Sequence, residues 1–346
     1  MLPEEIEISQ NISVNIQAFF NSSDYDKVAV LVDENTRLYC LPLVHKAIKP
    51  TDIIEIKSGE EQKTLDTCIH IWKELTDNHF ERKSLLVNLG GGVIGDMGGF
   101  CAATYKRGID FVNIPTTLLS QVDASVGGKL GVDFLGFKNH IGVFEDPEKV
   151  FIDTKFLNTL PARELRSGFA EVIKHCLIAD ASYWEMISAV DFKDQNWSGI
   201  VKHSVDVKKK VVEEDPFEKG LRKILNFGHT IGHAIESYFL QKDEKRLLHG
   251  EAIAAGMICE TYLSAKYCDL PESSVKNIEA YILKTFGRIL ISKDDIEEIT
   301  LLCLQDKKNE KGVINFSLLK DIGNSVFNVG VEQNEIRKVL QLYAQH

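Results

Sequence analysis

The feature that most constrains the fold is one apolar run, Ser84-Leu85-Leu86-Val87-Asn88-Leu89, which stops abruptly at Gly90-Gly91-Gly92-Val93-Ile94-Gly95-Asp96. A short apolar run bounded by turn residues reads as a strand buried on both faces. Such strands belong to parallel sheets covered by helices, so the run predicts its own neighbours. They are present. Val28-Ala29-Val30-Leu31-Val32, Ile53-Ile54-Glu55-Ile56, Phe111-Val112-Asn113-Ile114 and Lys149-Val150-Phe151-Ile152-Asp153 read as further strands. Between them a helix is expected from Thr64 to about Asn78, with Leu65, Ile69, Trp72 and Leu75 on one face. Another follows Val32, with Asn35-Thr36 as its cap.

Past Phe156 the strand signal gives way to helical spacing. Helices are expected over Ser167 to Ile178, Trp197 to Glu213, Gly228 to Phe239, Gly250 to Tyr267 and Glu272 to Phe286, with Pro161 near a helix start. Ile314 to Leu319 and Val326 to Val329 suggest a small hairpin turning at Gly323-Asn324. The expected class is therefore α/β: a Rossmann-like parallel-sheet domain over residues 1–155, then a mostly α-helical domain over 156–346.

In such sheets ligands bind at the carboxyl ends of the strands. A strand running into three glycines and then a helix lets backbone N–H groups approach a pyrophosphate. Gly90, Gly92 and Gly95 fall at G-x-G-x-x-G spacing, but a plain tight turn would also use glycine. Downstream, Val122 to Lys129 and Gly136 to Gly142 form a glycine- and lysine-rich region read as a binding loop.

The helical half holds Arg222-Lys223-Ile224-Leu225-Asn226-Phe227-Gly228-His229-Thr230-Ile231-Gly232-His233 and, beyond it, Leu247-Leu248-His249-Gly250-Glu251. Three of the ten histidines fall here. His229 and His233 share a helix face, as a metal pair or a proton-transfer pair would. The plain alternative is two helix-surface or hydrogen-bonded core histidines. A carboxylate with two histidines makes a catalytic zinc set with an open position. Glu171 can supply the carboxylate, with some pair from His229, His233 and His249. Spacing alone does not choose the pair. Glu171 and Lys174, taken alone, read as a solvated helical ion pair.

Composition narrows the class. The formal net charge of -11 argues against bulk binding to nucleic acid or an anionic membrane. An anionic ligand would then need a local basic pocket, for which Arg107, Lys129, Lys138, Lys208, Arg222 and Lys307-Lys308 are candidates. Part of Lys208 to Asp215 also reads as a charged helix face. Seven scattered cysteines without a Cys-x-x-Cys suit free thiols in a reducing cytoplasm. Met1-Leu2-Pro3-Glu4-Glu5 lacks a signal-peptide layout, and no apolar run is long enough to span a membrane.

Taken in order, several motifs are specific. They are Gly-Gly-Gly-Val-Ile-Gly-Asp (90–96), Ala-Thr-Tyr-Lys-Arg-Gly (103–108), Pro-Thr-Thr-Leu-Leu (115–119) and Val-Asp-Ala-Ser-Val-Gly-Gly-Lys (122–129). Then come Lys-Asn-x-Ile-Gly (138–142), Ala-Glu-Val-Ile-Lys (170–174), Leu-Asn-Phe-Gly-His-Thr-Ile-Gly-His (225–233), Leu-Leu-His-Gly-Glu (247–251) and Asp-Lys-Lys-Asn (306–309). Over nearly its whole length the chain resembles the 3-dehydroquinate synthases, of the sugar-phosphate cyclase superfamily. The resemblance implies an NAD-binding α/β domain, a helical domain holding zinc or cobalt, and a cytoplasmic homodimer. The implied reaction turns 3-deoxy-D-arabino-heptulosonate 7-phosphate into 3-dehydroquinate and phosphate. It proceeds by transient oxidation with NAD, phosphate elimination, re-reduction and an intramolecular aldol, as a step of the shikimate pathway.

Carried over motif by motif, the resemblance implies Glu171, His229 and His249 as metal ligands. It implies His233 and Glu218 as proton-transfer residues. Substrate would be met by Asp123, Lys129, Asn139, Lys174, Lys208, Arg222, Asn226 and Lys307 (or Lys308), and by Arg107 across the dimer interface. NAD would be met by Asp33, Asn35, Glu60, Lys63, Gly91, Gly92, Val93, Asp96, Thr116, Thr117, Lys129, Lys138, Phe156 and Thr159. Ala124, Leu130-Gly131 and Phe137 depart from many relatives, beside site residues rather than at them. Other cyclases, such as inosose or valiolone synthases, would share NAD and metal, but Lys208, Arg222 and Asn226 favour a substrate with a carboxylate. A polyol dehydrogenase would share the fold and consume NAD stoichiometrically. A scaffold protein would need none of these polar motifs.

Overall fold

The computed structural model describes residues 6–135, 137–240, 242, 246–305 and 313–345. The chain divides into two compact units, residues 1–165 with 197–209, and residues 166–196 with 210–346. The boundary expected at 155/156 thus compares with a division by contacts at 165/166, with a later segment returning to the first unit.

The first unit is built on a six-stranded sheet. Its strands are β1 (Ile6–Ile8), β2 (Val28–Asp33), β3 (Asp52–Ile56), β4 (Leu85–Gly90), β5 (Asp110–Pro115) and, after the hairpin described below, β8 (Lys149–Ile152). The spatial order is β1-β8-β5-β4-β2-β3, and every pairing is parallel. Both faces are covered. Ala29 and Leu31 join one core with Leu86, Met97 and Phe111. Their neighbours Val28, Val30 and Val32 join the opposite core with Val87, Val112 and Phe151. This two-residue alternation, apolar on both faces, is why the strands read as unbroken apolar runs.

Three local expectations change. The helix after β2 is Glu34–Tyr39, and its cap is a reciprocal pair of Asp33 and Thr36, in which Asn35 takes no part. The Thr36 N–H donates to Asp33 Oδ1 at 2.7 Å, and the Asp33 N–H donates back to Thr36 Oγ1 at 2.9 Å. In the helix Leu65–Asp77, Ile69 is exposed, while Cys68, Ile71 and Leu75 are buried. At 100° per residue Ile69 points about 125° away from the middle of that face. The region read as a loop after Lys129 is an antiparallel hairpin, β6 (Lys129–Phe134) and β7 (Phe137–Phe144). Leu130 and Val132 supply its buried alternation, which the intervening glycines and lysines hide in the sequence.

The second unit is mostly helical. Its helices include the greater part of Ala162–Ala179, then Ala181–Ser188, His229–Leu240, His249–Cys268, Glu272–Phe286, Lys293–Gln305 and Gln333–Gln345. The expected small hairpin is present as β9 (Val313–Asp321) and β10 (Asn324–Glu332), paired antiparallel. All seven cysteines are free. No helix among the described residues is long and apolar enough to cross a membrane.

Candidate active site

The second unit gathers Glu171, His229 and His249. Glu171 lies mid-way along Ala162–Ala179, whereas His229 and His249 each open a helix. Two close backbone contacts bring these starts together. The Gly250 N–H donates to Ser167 Oγ at 2.9 Å, and a Cβ on Gly250 would sit 1.9 Å from the Ser167 carbonyl oxygen. The start of the His249 helix therefore rests on the helix that carries Glu171, one turn before it. A Cβ on Gly256 would fall 2.1 Å from the Gly228 carbonyl oxygen, so the two histidine-bearing helices also meet backbone to backbone. Gly250→Ala is accordingly expected to destabilise the fold by at least ~1–3 kcal/mol. Chemical denaturation measures it, and an unchanged midpoint would show that the contact is not tight.

Glu260 fixes where the His229 helix begins. It is fully buried and accepts from the Gly228 N–H at 2.7 Å and the Ile231 N–H at 3.0 Å, donors that a helix start leaves without intrahelical partners.

The donor atoms converge. Glu171 Oε1 lies 3.4 Å from His229 Nε2 and 3.4 Å from His249 Nε2. Bonds of about 2.0–2.1 Å in a tetrahedron place ligand atoms about 3.3–3.4 Å apart. Glu171 Oε1 therefore stands at the spacing of neighbouring ligands from each Nε2, and all three donor atoms lie within 4.8 Å of one another. The other ring nitrogens are occupied outward. His229 Nδ1 lies 3.1 Å from the Phe227 carbonyl oxygen, and His249 Nδ1 lies 3.4 Å from Glu236 Oε2. Partners of this kind keep the proton on Nδ1 and turn the Nε2 lone pair inward.

Charges reinforce the cluster. Glu171 and Lys174 are both buried and form an ion pair, so the solvated surface pair expected from spacing is not what the chain builds. Burial opposes ionisation of Glu171, but Lys174 and the two imidazoles outweigh it and hold the carboxyl well below its usual range. Burial lowers the His229 pKa, even with Glu171 beside it. Burial opposes charge on His249 too, but there Glu236 and Glu171 prevail and push it up to about 10.

His233 packs beside the trio without belonging to the same donor set. Its ring centroid lies 5.0 Å from that of His229 and 5.9 Å from that of His249. It groups instead with Glu236 and His249. Nearby in sequence, Asn226 donates to Glu218 Oε1 at 2.7 Å, so two expected site residues meet. The buried Arg222 donates from Nη1 to the Pro216 carbonyl oxygen at 2.6 Å. Asp215 ties this loop together, accepting from the N–H groups of Lys219 at 3.0 Å, Gly220 at 2.6 Å and Arg222 at 3.1 Å. Sequence reasoning missed Asp215, Glu236 and Glu260. An Asp-Pro pair at a helix end signals the first, and the spacing of one turn from His233 signals the second. Glu260 leaves no local signal.

In the first unit, residues expected to bind NAD and substrate pair with one another in three places. Lys63, 3% exposed, donates from Nζ to Asp96 Oδ2 and to Asn139 Oδ1, each at 2.6 Å. Lys138 Nζ pairs with Glu60 Oε1 at 3.2 Å. Lys208 Nζ reaches Asp123 Oδ1 at 2.8 Å and the Asp123 carbonyl oxygen at 2.5 Å. Gly91, Gly92 and Val93 open the helix after β4, and the Thr116 N–H donates to the Gly90 carbonyl oxygen at 2.9 Å. Thr117 caps locally, accepting from the Ser120 N–H at 3.1 Å. A cleft of about 520 Å³ is lined by Glu34, Glu55, Ile56, Lys57, Ser58, Glu61 and Gln62, past the carboxyl ends of β2 and β3. Asn35 is exposed near it. The Phe156 side chain is packed in the core, and Thr159 Oγ1 donates to the Phe156 carbonyl oxygen at 3.3 Å. Lys129 and Arg107 are exposed, and Arg107 has a left-handed backbone with φ 71°. Lys307 and Lys308 lie outside the described residues.

A doubly covered parallel sheet with a glycine turn at its carboxyl edge, followed by a helical unit with a carboxylate and two imidazoles, defines a two-unit α/β protein with a candidate metal centre. Among solved structures the chain is similar to a 2-deoxy-scyllo-inosose synthase complexed with carbaglucose-6-phosphate, NAD+ and Co2+. That match has 24% identity, covers 98% of each chain and has a TM-score of 0.86. It is also similar to a 2-epi-5-epi-valiolone synthase from Streptomyces hygroscopicus with NAD+ and Zn2+ bound, at 24% identity, 99% and 96% coverage and a TM-score of 0.87. These likenesses establish the fold. The 3-dehydroquinate synthase N-terminal model matches residues 53–167 and the C-terminal model matches residues 168–309. A 3-dehydroquinate synthase of Parabacteroides distasonis is 43% identical, over 100% of this chain and 99% of the relative. The chain belongs to the 3-dehydroquinate synthase family and is an enzyme of that family's activity.

Proposed function

We propose that the chain converts 3-deoxy-D-arabino-heptulosonate 7-phosphate to 3-dehydroquinate and phosphate, using NAD and a divalent metal held by Glu171, His229 and His249. The observation that carries the metal reading is the 3.4 Å spacing of Glu171 Oε1 from both Nε2 atoms. Zinc or cobalt suits that nitrogen and oxygen set, and the two cyclases of like fold were solved with one or the other, and with NAD+. For NAD, support comes from the glycine turn at the helix start after β4, from the buried Lys63–Asp96 pair and from the cleft of about 520 Å³.

When bound, the metal acidifies the hydroxyl it holds, and NAD takes a hydride and later returns it. The chain's residues do the rest. Glu171, ionised and buried, offsets the metal's charge. Lys208, Arg222 and Lys129 supply the cations that the carboxylate and phosphate of the substrate call for in a chain of net charge -11. Asp123 and Asn139 orient its hydroxyls, and Asn226 goes with Lys208 and Arg222 in favouring a carboxylate. His233 and Glu218 move protons as phosphate leaves and the carbocycle closes. Arg107, exposed on a left-handed turn, suits a contact with a second copy's substrate, and with it a homodimer. The seven free thiols support a cytoplasmic location.

The experiment is direct. Purified protein with the heptulosonate phosphate, catalytic NAD and zinc should release phosphate and form dehydroquinate, and chelator treatment should stop both. No phosphate release with metal present would sink the reading.

A pH dependence follows. Without metal His249 keeps its proton up to about pH 10. Metal at its Nε2 must displace that proton, so protons compete with metal below that pH. Affinity should rise about tenfold per pH unit between pH 6.5 and 8.5. Chelator competition measures it, and a flat profile would mean that no proton leaves.

A further inference from the structure

We propose that Glu236 is the positioning residue of this site. It holds the His249 imidazole in the tautomer and orientation that present Nε2 to the metal, an inference that rests on the metal reading above. Glu236 is 6% exposed and lies one helical turn past His233. Its Oε2 is 3.4 Å from His249 Nδ1, while His249 Nε2 is 3.4 Å from Glu171 Oε1. The imidazole is thus spanned by a carboxylate on each side, one at the metal and one behind it. A carboxylate behind a ligating histidine accepts the Nδ1 proton, fixes the ring and makes Nε2 a better donor.

The need for such a partner is specific to His249. His229 has the Phe227 carbonyl behind it, and a backbone oxygen comes with the fold. His249 opens its helix on a different segment, and the Glu236 carboxylate stands behind its ring. Glu236 also groups with His233 and His249, their donor atoms all within 4.8 Å. The same carboxylate therefore stands between the proposed metal ligand and the proposed proton carrier. A buried carboxylate with two imidazoles beside it is an expensive way to fill space, because burial penalises its charge unless that charge is used.

Glu236→Gln keeps the shape and one acceptor oxygen but removes the charge. Glu236→Ala removes the acceptor. The metal-free proteins are titrated with Zn2+ against a chromophoric chelator, and with Co2+ followed by its visible absorption. The metal Kd should weaken about tenfold in Glu236→Gln and about a hundredfold in Glu236→Ala. The cobalt spectrum should change in shape, and the denaturation midpoint of metal-free Glu236→Gln should stay near that of the parent. A Glu236→Gln protein with parental metal Kd and cobalt spectrum would overturn the proposal, whether or not Glu236→Ala folds. If the parent protein itself binds neither ion, the metal reading fails, and this inference with it.

Discussion

Replacing His249 with alanine is expected to abolish metal retention and to lower turnover by at least about a thousandfold. The effect should be this large because the three donors are not interchangeable. Glu171 and His229 would remain 3.4 Å apart, but two ligands do not hold zinc against dilution or a chelator. The substitution also removes one partner of the buried Glu236, so some loss of stability should accompany the loss of metal. Metal analysis after gel filtration, with activity on the same sample, checks both. A His249→Ala protein that keeps stoichiometric metal would overturn the ligand set.

Replacing His233 with alanine is expected to separate binding from chemistry. His233 packs against both His229 and His249, yet it groups with Glu236 rather than with Glu171. Metal content should therefore stay at the parental level, while kcat falls by about a hundredfold to ten-thousandfold, the usual worth of a positioned proton-transfer group. NAD binding should not change, since every residue expected to meet NAD lies in the other unit. Loss of metal from His233→Ala would mean that the pair one helical turn apart, the choice that spacing first suggests, is the true metal pair.

These two histidines show where sequence reasoning reaches its limit. His229 and His233 are neighbours by helical period, and period is what a sequence displays. His249 joins Glu171 through Gly250 lying against Ser167, 83 residues away, and nothing local to either segment announces that contact. Only the likeness of whole motifs to a family pointed to His249. Glu171 and Lys174 were misleading in the opposite sense. At a spacing of three they look like a solvated pair, and only the fold buries both. The parallel sheet was far more legible, because strands buried on both faces are apolar at nearly every position, with the buried Asn88 and Asn113 pairing with each other. The hairpin of β6 and β7 was not, because glycines and lysines interrupt its alternation. Asp33 both ends β2 and caps the helix after it, a double role that the apolar run before it does not announce.

The central claim is that hydride leaves the substrate and comes back within one turnover. It is tested by supplying the heptulosonate phosphate in large excess over NAD and following phosphate and NADH together. Many phosphates released per NAD, with no accumulation of NADH, is the predicted result. NADH accumulating in step with consumed substrate, or phosphate release that stops after one turnover per NAD, would contradict it.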